Sequence, residues 1–219
     1  MGKPDIIYED NDIIVCYKPA GIATQTRRIG QQDMESFIRN YRAAKNEPPY
    51  VGIVHRLDQP VEGVMVFAKN QKAAASLSRQ IKEHTTEKYY HAASRGHGVS
   101  GADNKEDNHD PAWHTLTDYI SFDKRTNTSK ITSEKDRQAK KAVLQYRILS
   151  NECNKTEFDI KLLTGRHHQI RLQLANIGYP LIGDTKYGGE TAREQLALCS
   201  YKLVFDHPAT GERMTFELP

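Results

Sequence analysis

Apolar positions along the chain fall into short runs and a few helical stripes, which predicts many strands and few helices. In "DIIYEDNDIIVCYKP" two apolar runs flank Asp10, Asn11 and Asp12, so this segment reads as two strands around a polar turn, ended by Pro19. In "QQDMESFIRNYRAAK" the residues Met34, Phe37, Ile38 and Tyr41 recur at i, i+3, i+4 and i+7, the spacing of an amphipathic helix, and Pro48-Pro49 closes it. "GVMVFAKN", Gly63 to Asn70, is an almost unbroken apolar run and reads as a buried strand. Asn70 then stands where it can cap the helix predicted over "QKAAASLSRQIKEH".

"EKYYHAASRG" returns to strand. Residues 97 to 138 are polar and weakly periodic, so loops with little regular structure are expected there. "KKAVLQYRIL" and "KTEFDIKLLT" predict two more strands. "HHQIRLQLANIG" places Ile170, Leu174 and Ile177 on one helical stripe, with Gly178 at a C-terminal cap. The tail, "LALCSYKLVFDHPATGERMTFELP", reads as strand, turn and strand. Hairpin-linked strands with few helices point to an α+β fold, and no linker-like composition divides residues 1–219 into more than a single domain.

Composition narrows the class. The 219 residues suffice for a sizeable core, and no run of about 18 apolar residues offers a membrane span. The start has no apolar signal core, and Ile6 stands where a myristoylation pattern needs Ser or Thr. Cys16, Cys153 and Cys199 are odd in number, far apart and in no metal spacing, as in a reducing compartment, so a cytoplasmic protein is expected. The net charge of +3 is modest but unevenly spread. From Lys124 to Arg147 eight Lys or Arg face only Glu134 and Asp136, a net +6, whereas Gly101 to Asp110 carries four acids and one lysine. The basic run is either a solvated face or a phosphate-binding one.

Three stretches could carry chemistry. His55-Arg56-Leu57-Asp58 places Asp fourth, unlike the His-Arg-Asp of kinase catalytic loops, and neither a Gly-rich phosphate loop nor Asp-Phe-Gly accompanies it. Taken alone it reads as a surface pair followed by a turn-capping Asp. The second stretch is Lys88-Tyr89-Tyr90, otherwise a strand with one ring packed inward. The third, "GRHHQIRLQLANIGYPLIGDTKYGG", sets His167 and Arg171 at i and i+4 on one helical face, with Arg166 at the helix entry. His167-His168 lack a third ligand at zinc spacing, so no metal is expected.

Together these stretches resemble the RluA family of pseudouridine synthases. "VHRLDQPVEGVMVFAKN" is similar to the family's HRLD segment, "GRHHQIRLQLANIGYPLIGDTKYGG" to its GRTHQIR, G-x-P, GD and YG segment, "EDNDIIVCYKPAG" to its opening strands and KPxG turn, and "FDHPATGERMTFELP" to its closing segment. The resemblance runs in order along nearly the whole chain. It implies a bent, mostly antiparallel mixed sheet flanked by helices, with a central active-site cleft. It also implies a monomer that acts on RNA, ribosomal or transfer, with no cofactor, no metal and no membrane. Because the pattern begins at the first residues, the family's common N-terminal S4 domain is not expected in this chain. Val61-Glu62 stand where the family usually has Thr-Ser, and His167 replaces a usual Thr or Ser, which bears on substrate choice.

By the same resemblance Asp58, Tyr90 and Arg171 are catalytic, and His55, Arg56, Arg166, His168 and Gln169 bind substrate. Isomerisation requires breaking the bond from sugar to uracil nitrogen, turning the ring and rejoining it through carbon 5. Asp58 would act at the sugar, as nucleophile or by removing a sugar proton. Arg171 would hold Asp58 ionised, and Tyr90 would stack on the uracil and serve in removing the carbon 5 proton. Arg56 would fill the space left by a flipped-out uridine. The alternatives are an inactive RNA-binding module and a carboxylate-dependent nucleoside glycosidase.

Overall fold

The computed structural model describes residues 4–26, 28, 30–95, 110–152, 154–188 and 194–219. The chain divides into two compact units, one formed by residues 1–87 with 200–219 and the other by residues 88–199. The acidic stretch Gly101 to Asp110 lies almost wholly outside the described residues.

The first unit opens with β1, Asp5–Glu9, and β2, Ile13–Lys18, joined by the expected polar turn and paired antiparallel. Asp10 makes that turn: its Oδ1 accepts from the backbone N–H groups of Asp12 and Ile13 at 2.7 and 2.9 Å. Its Oδ2 lies 2.8 Å from Nε2 of His207, whose Nδ1 accepts from the Thr210 N–H. Asp10, Asp12 and His207 are close enough to hold a metal, but these bonds already account for the carboxylate and both imidazole nitrogens.

Helix α1, Met34–Ala44, follows a capping box in which Asp33 accepts from Ser36 N and Ser36 Oγ accepts from Asp33 N. Met34 and Ile38 are buried, as the stripe requires, and Arg42 on the same side donates to the carbonyls of Tyr50 and Lys69. After the two-residue β3, Gly52–Ile53, comes β4, Glu62–Ala68, which pairs with both β2 and β3. Asn70 caps α2, Gln71–Lys82, by accepting from Ala73 N.

In the second unit β5, Glu87–Ser94, pairs antiparallel with β9, Lys155–Leu162, and β9 with β8, Lys140–Glu152. Outside β8 lie β6, Asp110–Asp123, and β7, Thr128–Thr132. These last two correct the loop expected over 97 to 138. Most side chains of β6 are exposed or partly exposed, so its sequence shows no apolar alternation, and the strand is held by backbone pairing from Thr115 opposite Gln145 to Ile120 opposite Lys140.

Helix α3, Gln169–Asn176, ends at Gly178 with φ 88°, where Tyr179 N donates back to Leu174 O. The chain closes with β10, Leu198–Asp206, and β11, Arg213–Glu217, both paired in the first unit. There the strand order is β1-β2-β4-β10, with β3 on β4 and β11 on β10. A core of Ile13, Val15, Val64, Val66, Leu203 and Phe205 from the sheet, with Ala73 and Leu77 from α2, lies on one face. Gly63, φ 133°, is dictated by this packing, because a Cβ there would meet the Ser200 carbonyl oxygen at 2.2 Å. No helix among the described residues is long and apolar enough to cross a membrane.

Candidate active site

The segment His55 to Asp58 is an irregular stretch between β3 and β4, and its backbone is held from the β2–α1 connection. Thr24 Oγ1 accepts from Leu57 N at 3.1 Å and donates to Leu57 O at 2.9 Å. Lys18, fully buried at the end of β2, donates to Pro19 O, Gln59 O and Val61 O at 3.1, 3.1 and 2.6 Å. Burial pushes this ammonium down to about 8, against the pull of the Asp58 and Glu62 charges. His55 turns inward, its Nε2 accepting from Val66 N at 3.0 Å, so its ring replaces a missing strand partner. Arg56 is exposed, Leu57 buried and Asp58 partly exposed. The alternation leaves one charged side chain on each side of a buried anchor.

In the second unit Arg171 and Asp184 form a buried, two-pronged pair, Nε to Oδ2 at 2.8 Å and Nη2 to Oδ1 at 2.7 Å. Burial would raise the Asp184 pKa, but the Arg171 bonds and two backbone N–H groups, those of Lys186 and Tyr187, hold it below its usual value. The Arg171 guanidinium also lies over the Tyr187 ring, 5.4 Å from its centre.

His168 takes a left-handed conformation, φ 54°, immediately before α3. His167 therefore sits ahead of the helix, which corrects the expectation that it shares a helical face with Arg171. Its ring stacks on His168 at 3.7 Å between centroids and lies tilted by 51° against Phe122 at 4.3 Å, while its Nδ1 lies 3.0 Å from Ser129 Oγ. His168 is buried and bonded to the Tyr187 hydroxyl at 2.9 Å; burial, then the neighbouring Arg171, His167 and Lys186, push its pKa down to about 3. Gln169 is buried too, accepting from Thr164 Oγ1 and Arg166 N and donating to Gln173. Arg166 donates from Nε to Lys141 O.

Tyr90 is buried on β5, opposite Ile160 of β9. Of the eight basic residues between 124 and 147, seven are exposed; the eighth, Arg147, is bound through Nε and Nη2 to Asp159.

Residues 12–176 match the family described as RNA pseudouridylate synthase. The chain belongs to that family. It is 32% identical over 222 residues to an uncharacterized RNA pseudouridine synthase of Bacillus subtilis, covering 100% of this chain and 69% of the relative. It is 34% identical over 233 residues to the ribosomal large subunit pseudouridine synthase D of Pseudomonas aeruginosa, covering 98% and 68%. Among solved structures it is similar to human RNA pseudouridylate synthase domain containing 4, with TM-score 0.75, 20% identity and coverage of 98% and 88%. A second human structure, domain containing 1, gives 0.73, 24%, 99% and 83%. Both carry the same fold.

As a member of this family the protein is an RNA pseudouridine synthase, an isomerase whose substrate is RNA. For a pseudouridine synthase three supporting residues went unassigned in the sequence: Lys18, Thr24 and Asp184. Lys18 and Asp184 do lie inside the Lys-Pro-Ala-Gly and Gly-Asp stretches that carry the resemblance. Lys18 holds carbonyls 41 and 43 positions away, Thr24 a residue 33 away and Asp184 one 13 away, and no local periodicity reports it.

Proposed function

We propose that this synthase isomerises specific uridines in folded ribosomal or transfer RNA, and that Asp58 acts at the sugar of a uridine flipped out of its helix. The observation that carries the reading is the way the Asp58 loop is held. Its backbone is fixed by Lys18 and Thr24, while the carboxylate itself is left partly exposed. Such preorganisation suits a group that must meet a reacting carbon in one geometry. Arg56, exposed two residues earlier, takes the place of the flipped base; flipping costs a few kcal/mol, which an inserted side chain offsets in part.

Tyr90 stacks on the uracil and takes part in removing the carbon 5 proton. Arg171, already oriented by Asp184, supplies the guanidinium that keeps the catalytic carboxylate ionised. His55, Arg166, His168 and Gln169 shape the site around the substrate. The seven exposed basic residues between 124 and 141 supply phosphate contacts. The reading treats residues 1–219 as one catalytic domain, acting as a monomer in the cytoplasm.

Because the Pseudomonas aeruginosa relative is named for the large ribosomal subunit, large-subunit RNA is the first substrate to test. The experiment incubates purified protein with unmodified ribosomal RNA, transfer RNA and free uridine, then maps pseudouridine. Formation at defined positions in an RNA supports the reading. Conversion of free uridine alone would instead favour a nucleoside enzyme, and binding without conversion an inactive module.

A further inference from the structure

Lys88 has no role in the reading above, yet its surroundings are unusual for a lysine. It lies on β5 two residues before Tyr90, so the two side chains leave the same face of the strand. Tyr89, between them, points the other way and carries Lys161 over its ring at 5.3 Å. The Lys88 ammonium reaches the turn that leads into α3: a Cβ built on Gly165 would lie 3.7 Å from Nζ and within 4 Å of nothing else. Among the described residues the Lys88 ammonium has no hydrogen-bond or ion-pair partner, although the residue is only partly exposed. Desolvation lowers its pKa, with no carboxylate near enough to oppose the shift. A cation withdrawn from water without a partner costs stability, so its presence calls for an anion that arrives with the substrate.

We propose that the Lys88 ammonium is the counter-charge that stabilises the uracil ring as it detaches from the sugar. The inference rests on the reading of Tyr90 as the residue that stacks on that ring. When the bond from sugar carbon 1′ to uracil nitrogen breaks, its electron pair stays with the ring, which becomes an anion delocalised onto both carbonyl oxygens. The ring turns, carbon 5 bonds to carbon 1′, the proton leaves carbon 5, and the nitrogen takes one up. Lys88 transfers no proton in these steps and supplies charge alone. An ammonium suits the task because its three rotatable donors sit on a flexible stem and can follow a ring that rotates, whereas a guanidinium presents a fixed fork. The bare Gly165 leaves room beside it.

A backbone phosphate is the competing anion, and the two differ in when the charge appears. A phosphate is charged before and after binding, so a contact to it acts on affinity; the ring becomes charged only during reaction, so a contact to it acts on rate. The test compares wild type, Lys88→Met and Lys88→Arg on one RNA substrate by single-turnover rate at saturating enzyme, RNA affinity across a salt series, and thermal midpoint. For Lys88→Met the expected result is a rate lower by about 10²- to 10³-fold, as when one preorganised donor to a developing anion is removed. Affinity and salt slope should stay within a few fold of wild type, and the midpoint should equal or exceed it, because an unpaired charge has been removed. Lys88→Arg should recover part of the rate.

A salt slope lower by about one, with the saturating rate retained, would overturn the proposal in favour of a phosphate contact. An unchanged rate, or a rate loss that tracks a lowered midpoint or an unfolded Met variant, would overturn it as well. Wild-type turnover is the reference: a defect confined to the Met variant speaks to Lys88 alone, and an inactive wild type overturns both readings.

Discussion

Arg171 is oriented by Asp184, which grips its guanidinium through both carboxylate oxygens while accepting backbone N–H groups from Lys186 and Tyr187. The pair is almost wholly buried, with side-chain exposures of 5% and 0%. Taking away one partner of such a pair leaves the other charge in a poorly solvated site. Asp184 thus sets both the stability of the α3 entry and the direction in which Arg171 points.

Asp184→Asn should therefore lower unfolding stability by about 3–5 kcal/mol, since the guanidinium loses its counter-charge and keeps its burial. Pseudouridine formation should fall further than the folded fraction does. Denaturant titration alongside single-turnover assays separates the two effects; a variant of wild-type stability would show that the pair is replaceable.

Lys18→Met should slow turnover about a hundredfold while RNA binding stays within a few fold. The Gln59 and Val61 carbonyls of the Asp58 loop lose the donor they share with Pro19 O, each at about 1–3 kcal/mol if left unmet, and a displacement near 1 Å at a reacting group has an effect of this size. Rapid-quench kinetics at saturating enzyme is the measurement. A full rate would mean that Thr24 and Gly21 hold the loop without Lys18.

Stability should fall as pH drops below about 6.5, and His168 should carry part of the loss. Its pKa is lowered from 6.5 to about 3 in the folded chain, so between those values the unfolded state binds the extra proton. The contribution of its neutral ring is fully present above 6.5 and is lost progressively toward 3, by at most about 1.4 kcal/mol per pH unit. Denaturant midpoints of wild type and His168→Gln across that range test this; parallel curves would assign the loss to other groups.

Arg56→Ala should be slow on a structured stem-loop and recover in part on a short unstructured RNA of the same local sequence. A lost charge-assisted contact of about 1.5–3 kcal/mol shifts the flipping equilibrium by roughly one to two decades. Asp58→Asn should be inactive on both RNAs, because its defect follows flipping. Equal slowing of Arg56→Ala on the two substrates would remove the space-filling role.

Most strands and all three helices were legible because each depends on neighbours in sequence. Apolar runs placed β2 and β4, i, i+3, i+4 spacing placed α1, and Asn70 and Gly178 marked helix ends by local hydrogen bonds. The ordered stretches from His55 to Asp58 and from Gly165 onward pointed to the family. β6 and β7 were illegible, because a strand with polar side chains on most positions is secured by the backbone of its neighbours, and backbone groups are the same in every residue. The left-handed turn at His168 also escaped, since a single dihedral ahead of a helix moves His167 off its face without changing the pattern. Lys18 under the Asp58 loop, Asp184 against Arg171 and Lys88 beside Gly165 were decided only in three dimensions. A side chain's partner is whatever the chain brings within about 3 Å of it, and that distance does not exist until the strands have paired.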